Sequence, residues 1–177
     1  MQQPQFVRSL TLLEPAAGAN GFDVPASYDR PDFVGAAMGA FSAGDLAAAF
    51  DHFMKGVCGE GYREILEQRL GKSGLENAIR ESAFFFRDEV RAVMEARFDP
   101  GDTSRIKQPV LCLEGGAQPN PTIARMSRQI SNRTVELLPQ AQVVVIPEVN
   151  HALPLQDPEA VARSITSFIR QVTQLCA

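Results

Sequence analysis

The chain has 177 residues, 45% hydrophobic and 21% charged, with a net charge of −4. That length holds one ordinary domain or part of a larger one, and the composition is that of a globular protein. A mildly acidic chain without a run of Lys or Arg makes nucleic acid and anionic membrane poor partners, and no apolar run is long enough to span a bilayer.

The chain opens on Met1-Gln2-Gln3-Pro4, which has neither the basic nor the apolar region of a signal peptide. Val7 to Leu13 (VRSLTLL) is predicted to be a strand, ended by Glu14-Pro15. Its nearly continuous apolar character suits a parallel sheet covered on both faces. Ala16 to about Arg30, rich in Gly, Ala, Asn, Asp and Pro, is predicted to be a loop. Helical stretches follow. Asp45 caps one through about Lys55, with Leu46, Ala49, Phe50, Phe53 and Met54 on one face and Gly56 as its stop. Tyr62 to Leu70 is a shorter helix closed by Gly71. Ser73 caps a long helix from Gly74 to about Arg97, terminated by the turn at Asp99-Pro100-Gly101.

The pattern then changes. Pro109 to Glu114 (PVLCLE) is a short strand followed by a loop containing Gly115-Gly116. A helix runs from Pro121 to about Leu138, with Asn120 as its cap and Pro121 at the favoured first position. Gln142 to Ile146 is a third strand, and the loop Pro147 to Gln156 carries His151. Asp157-Pro158-Glu159 opens a final helix whose apolar stripe includes Val161, Ile165, Phe168, Ile169 and Val172. Strands alternating with helices across short loops predict a parallel sheet. A long helical stretch between two strands of one sheet is a lid or cap, which would close over a pocket at the carboxyl ends of the strands.

Cys58, Cys112 and Cys176 are dispersed and odd in number, which argues against a disulfide framework and for a reducing, cytoplasmic setting. His151 sits on a short loop directly after a strand, between Asn150 and Pro154. From that position alone, a surface loop histidine and a side chain projecting into a cleft are both open readings. His52 lies in a helix beside Phe50 and Phe53. One histidine without Cys, Asp or Glu at ligand spacing makes no metal site, so a packed or exposed helix histidine is expected.

Residues Ile106 to Ile169 resemble the last two strands of the α/β-hydrolase fold. The match lies in Pro109-Val110-Leu111, the stretch Leu138 to Pro147, the loop Asn150-His151-Ala152-Leu153-Pro154, then Asp157-Pro158-Glu159 and a helix carrying Phe168-Ile169. Val7 to Pro15 resembles the sixth strand of that fold, which follows the nucleophile elbow and its helix. The resemblance implies the C-terminal part of an α/β-hydrolase sheet, with about three mainly parallel strands and a helical cap insertion. Residues 1–18 would hold the sixth strand, 19–105 the cap and 106–177 the C-terminal core portion with the His loop.

In the family, the histidine matching His151 is the general base. The acid usually sits after the seventh strand in a Gly-x-x-Asp pattern, where this chain has Gly115-Gly116-Ala117-Gln118. A neutral amide cannot stabilise the imidazolium. Some members, haloalkane dehalogenases among them, carry the acid at the end of the sixth strand, the position of Glu14. Glu14 is therefore the expected acid, ahead of a strand-end glutamate that merely caps or solvates. Glu114 and Asn120 are weaker candidates, because Glu114 ends its strand pointing into the sheet.

No nucleophile is expected in the chain. The one lookalike of a Gly-x-Ser-x-Gly elbow is Ala40-Phe41-Ser42-Ala43-Gly44, which lacks a preceding strand and falls in the helical stretch. Cys112 is mid-strand and is expected to be an inert buried thiol. Phe84-Phe85-Phe86 spreads aromatic surface around more than half of its helix. Helix packing accounts for one side, and the other could line a hydrophobic substrate pocket.

The resemblance thus implies a hydrolase acting on an ester-like or related bond through a covalent intermediate, with His151 as base and Glu14 as acid. The chain is read as a fragment that lacks the nucleophile and is inactive alone, with neither metal nor organic cofactor. Its expected partners are a small molecule with a hydrophobic part and either the missing N-terminal half or a second copy, joined along an exposed strand edge. The alternative is a non-catalytic hydrolase-like interaction module.

Overall fold

The computed structural model describes residues 4–15, 32–95 and 100–175. Three strands, β1 (Leu10–Leu13), β2 (Val110–Gly115) and β3 (Ala141–Ile146), form one parallel sheet in the order β1-β2-β3. Leu10 pairs with Val110, and Val110 with Ala141. All three expected strands are present and paired. The first is shorter than its apolar run, because a 3-10 turn occupies Pro4–Phe6 and the ladder starts only where the Leu10 amide donates to the Pro109 carbonyl at 2.9 Å. A strand extends only as far as its partner's backbone can satisfy it.

Between β1 and β2 the described chain is helical: α1 (Asp32–Ser42), α2 (Leu46–Cys58), α3 (Tyr62–Phe84), a π-helical turn (Phe85–Glu89), α4 (Val90–Glu95) and α5 (Pro100–Thr103). This segment is called the helical insert below. α6 (Pro121–Leu137) links β2 to β3, and α7 (Leu153–Gln156) and α8 (Pro158–Leu175) follow β3. Two of the predicted caps, Asp45 and Asn120, form, and Asp157 caps the helix it opens. Asp45 accepts from the Ala48 amide and Asn120 from the Thr122 amide, both at 2.9 Å, and Asp157 accepts from Ala160 at 2.8 Å.

Gly71, expected to close one helix, leaves the helical region (φ 71°, ψ 171°), so two helices abut there as a kink within α3, and Ser73 lies inside the second. Gly56 does not stop α2. It is buried in the helix with Phe33 packed where a Cβ would go, and the helix ends at Gly59, whose φ of 84° suits glycine. The expected loop from Ala16 to Arg30, the helix end at Arg97, Asp99 and Cys176 lie outside the described residues.

Side chains on β2 alternate between two cores. Leu111 and Leu113 pack with Ile146, Leu153, Val161 and Phe168 on the α8 face. Val110 and Cys112 pack with Ile106 and Leu138, and with Leu10 and Leu12 of β1, on the other face. Period-2 alternation puts Glu14 and Glu114 on that second face as well. The insert has its own core around Ala49, Phe50, Tyr62, Leu66 and Phe86, which reaches Ile123 of α6 and Ala152 of the loop after β3.

Candidate functional site

β1 ends by turning at Glu14, whose φ of 45° lies in the left-handed region while its amide still donates to the Leu113 carbonyl at 3.0 Å. A non-glycine residue there carries strain of about 1 kcal/mol. The turn brings the carboxylate over the carboxyl end of β2. Oε1 accepts from the Gly115 amide at 2.6 Å and from Gln118 Nε2 at 2.8 Å, and Oε2 accepts from Ser127 Oγ of α6 at 2.7 Å.

The loop after β3 crosses the same end of the sheet. Ala117 donates to the Val149 carbonyl at 2.8 Å, and a Cβ on Gly115 would lie 2.6 Å from the Asn150 carbonyl oxygen. Only glycine lets the loop approach this closely. The loop delivers His151 Nδ1 to 3.4 Å from Glu14 Oε2. This is long for a hydrogen bond. Glu14's side chain is 3% exposed and that of His151 35%. Among the described residues, Nε2 of His151 has no hydrogen-bond partner.

Burial pushes the Glu14 carboxyl up, but hydrogen bonds from His151, the Gly115 amide and Ser127 outweigh it and hold the group below the ordinary glutamate value. Glu114 behaves oppositely. Burial, and then the charge of Glu14, push it up to about 7, which Arg128 only partly offsets. Among the described residues its buried Oε1 has no hydrogen-bond partner, nor do Gln118 Oε1 and Ser131 Oγ. Two buried carboxyl groups thus share one face of the sheet end, one held ionised and the other neutral below about pH 7.

The structure therefore brings His151 and Glu14 together and gives the remaining candidates other surroundings. Gln118 donates to Glu14. Asn120 caps α6 and donates to the Gly56 carbonyl at 3.3 Å. Ser42 is exposed at the end of α1, its Oγ donating to the Met38 carbonyl. Cys112 is fully buried, with burial and Glu114 pushing its thiol up to about 11. His52 is exposed. Phe85 and Phe86 pack inside the insert, and Phe84 is 54% exposed. Ser127 had a readable signal: it lies in the inward-facing row Ile123–Ser127–Ile130–Thr134 of α6, where a hydroxyl needs a partner. Among the described residues no group of three His, Cys, Asp or Glu side chains could hold a metal ion, and no helix is long and apolar enough to cross a membrane.

No protein-family model and no curated protein matches the sequence. By structure, the chain is similar to an α/β hydrolase from Sphaerobacter thermophilus (TM-score 0.59, 21% identity, covering 92% of this chain and 58% of that one). It is similar to an esterase from Rhodococcus sp. ECU1013 (TM-score 0.58, 19% identity, 94% and 57%). It is also similar to a 2-hydroxy-6-oxo-6-phenylhexa-2,4-dienoate hydrolase from Rhodococcus sp. strain RHA1 (TM-score 0.56, 16% identity, 96% and 57%). The chain spans less than two thirds of the length of each. It has part of the α/β-hydrolase fold.

Proposed function

We propose that this chain supplies the acid–base part of an α/β-hydrolase active site, with His151 as general base and Glu14 as the carboxylate that orients it. The observation that carries this reading is the 3.4 Å contact from His151 Nδ1 to a buried Glu14 that three further donors hold in place. A carboxylate so held keeps the proton of a neutral imidazole on Nδ1 and leaves the Nε2 lone pair free. That lone pair takes the proton of an attacking nucleophile and returns it to the leaving group, while the bond to the acyl or similar carbon passes to the nucleophile. Water then resolves the covalent intermediate by the same relay.

The nucleophile and oxyanion donors belong to the part of the fold that precedes β1, so the 177 residues alone are inactive. Among the described residues one edge of β1 is unpaired, and that part would pair with it and cover Leu10 and Leu12. Self-association along the same edge is the competing outcome. The insert serves as a cap and favours substrates with a hydrophobic part. An ester-like or related bond is consistent with the esterase and the dienoate hydrolase among the similar structures.

The test is hydrolysis of a panel of p-nitrophenyl esters, haloalkanes and epoxides. It compares the chain alone, the chain joined to the segment encoded upstream of Met1, and His151→Ala in both forms. The chain alone should do no better than its His151→Ala variant. In the joined protein that variant should lose about 10⁴-fold or more in kcat. Turnover by the chain alone, or a joined protein indifferent to His151→Ala, would overturn the reading.

A further inference from the structure

Helix α2 ends with backbone carbonyls that have no partner within the helix, and two of them are taken by asparagine side chains from the loops that build the site. Asn120 Nδ2, in the loop after β2, donates to the Gly56 carbonyl at 3.3 Å. Asn150 Nδ2, in the loop after β3, donates to the Cys58 carbonyl at 2.8 Å in a buried setting. Asn150 directly precedes His151 and is 7% exposed. Its Oδ1 accepts from the Ala152 amide at 3.0 Å, so one side chain braces the loop on both sides of the histidine and ties it to the insert. A second tie converges on the same residue. The Asn150 amide donates to Gln156 Oε1 at 2.7 Å, and the Gln156 carbonyl accepts from Arg69 of α3 at 3.0 Å.

From these contacts we propose that Asn150 is a positioning residue: through the Cys58 carbonyl it makes the seating of the helical insert set the orientation of the His151 ring toward Glu14. The inference rests on the reading of His151 and Glu14 given above. A buried amide left without its carbonyl loses a hydrogen bond and leaves the Cys58 carbonyl unsatisfied, so the loop and the end of α2 have one jointly satisfied arrangement. Movement of the insert away from the sheet must break that bond. The histidine would then be aligned only while the insert is seated, which couples substrate enclosure to readiness of the base.

The experiment is two-bond ¹H–¹⁵N NMR of the imidazoles at pH 8 in the 177-residue chain, with amide exchange measured on the same samples. The spectra report which ring nitrogen carries the proton. Wild type should show the Nδ1–H form of His151, and Glu14→Gln should lose its excess over the Nε2–H form that free imidazole side chains favour. Asn150→Ser retains a hydroxyl to accept from Ala152 but is too short to reach Cys58. It should shift His151 toward Nε2–H and speed exchange at the Gly59 and Tyr62 amides about tenfold, the factor one lost hydrogen bond gives. Asn120→Ser retains a helix cap and should speed that exchange without changing the tautomer. Should Asn150→Ser fail to fold, Arg69→Ala loosens the same loop from the surface and should shift the tautomer in the same direction. Faster exchange with an unchanged tautomer would reduce Asn150 to a structural tie and overturn the inference. A wild-type His151 without the Nδ1–H form would instead sink the functional reading on which it rests.

Discussion

The helical insert and the carboxyl end of the sheet are held together by opposite means. The insert closes around aromatic rings. Phe53 meets Phe85 at 4.8 Å and Phe86 at 6.0 Å between centroids, both edge-on, and Phe41 meets Phe86 at 5.6 Å. Its charged groups stay outside, where Asp51 binds Lys55 and Arg63 near the surface. The sheet end instead buries two carboxyl groups, turns a glutamate into the left-handed region and, among the described residues, leaves Glu114 Oε1 without a partner. Apolar packing tolerates changes of shape, whereas a buried polar cluster works only in one arrangement. The contrast assigns stability to the insert and chemical specialisation, at some expense in stability, to the sheet end.

Substitutions that remove side chains from each region should have opposite signs. Phe86 is 2% exposed and touches three other phenylalanines, so Phe86→Ala should lower stability by about 3–5 kcal/mol in urea unfolding. A loss under 1 kcal/mol would mean that the insert does not unfold with the sheet. At the other end, Glu114→Gln should raise stability by roughly 2 kcal/mol at pH 8. The sign follows from linkage: the folded value of Glu114 is about 7, against 4.5 for the ordinary group. The folded state therefore holds the extra proton between those values, and its stability falls as pH rises through that window. The gain from Gln should accordingly shrink toward zero as pH drops to 4.5. A gain independent of pH would trace to packing, and a loss would mean that the Glu114 charge has a partner.

The parts of this architecture that were legible in the sequence are those with local causes. The three strands announce themselves as short apolar runs bounded by turn residues, and Asp45, Asn120 and Asp157 cap helices by bonds to amides two or three residues on. Glu14 was singled out by the resemblance, which implies an acid at the end of the sixth strand, and its carboxylate lies 3.4 Å from His151 Nδ1. What was not legible depends on residues far apart. α1 contains Gly35 and Gly39 and is a weak helix former by itself, but Ala37 and Phe33 pack it against α2. Nothing local distinguishes Gly56 from Gly59 as the stop of α2. The choice follows from Phe33 packing against Gly56. Against the family pattern Gln118 reads as a lost acid, yet in three dimensions it is a donor to Glu14 at the end of another strand. The upward shift of Glu114 likewise comes from its burial in the folded chain and, after that, from the charge of Glu14, a hundred residues away in sequence.

Titration of the Glu14 carboxyl carbon by ¹³C NMR shows whether pairing with His151 holds Glu14 ionised. The midpoint should lie below the ordinary value of 4.5 in wild type and move upward in His151→Ala as that hydrogen bond is lost. Because the folded value is the lower one, the stabilisation from Glu14 is present above pH 4.5 and disappears as pH falls through the folded midpoint. A midpoint at or above 4.5 that ignores the removal of His151 would mean that the histidine does not hold Glu14 ionised.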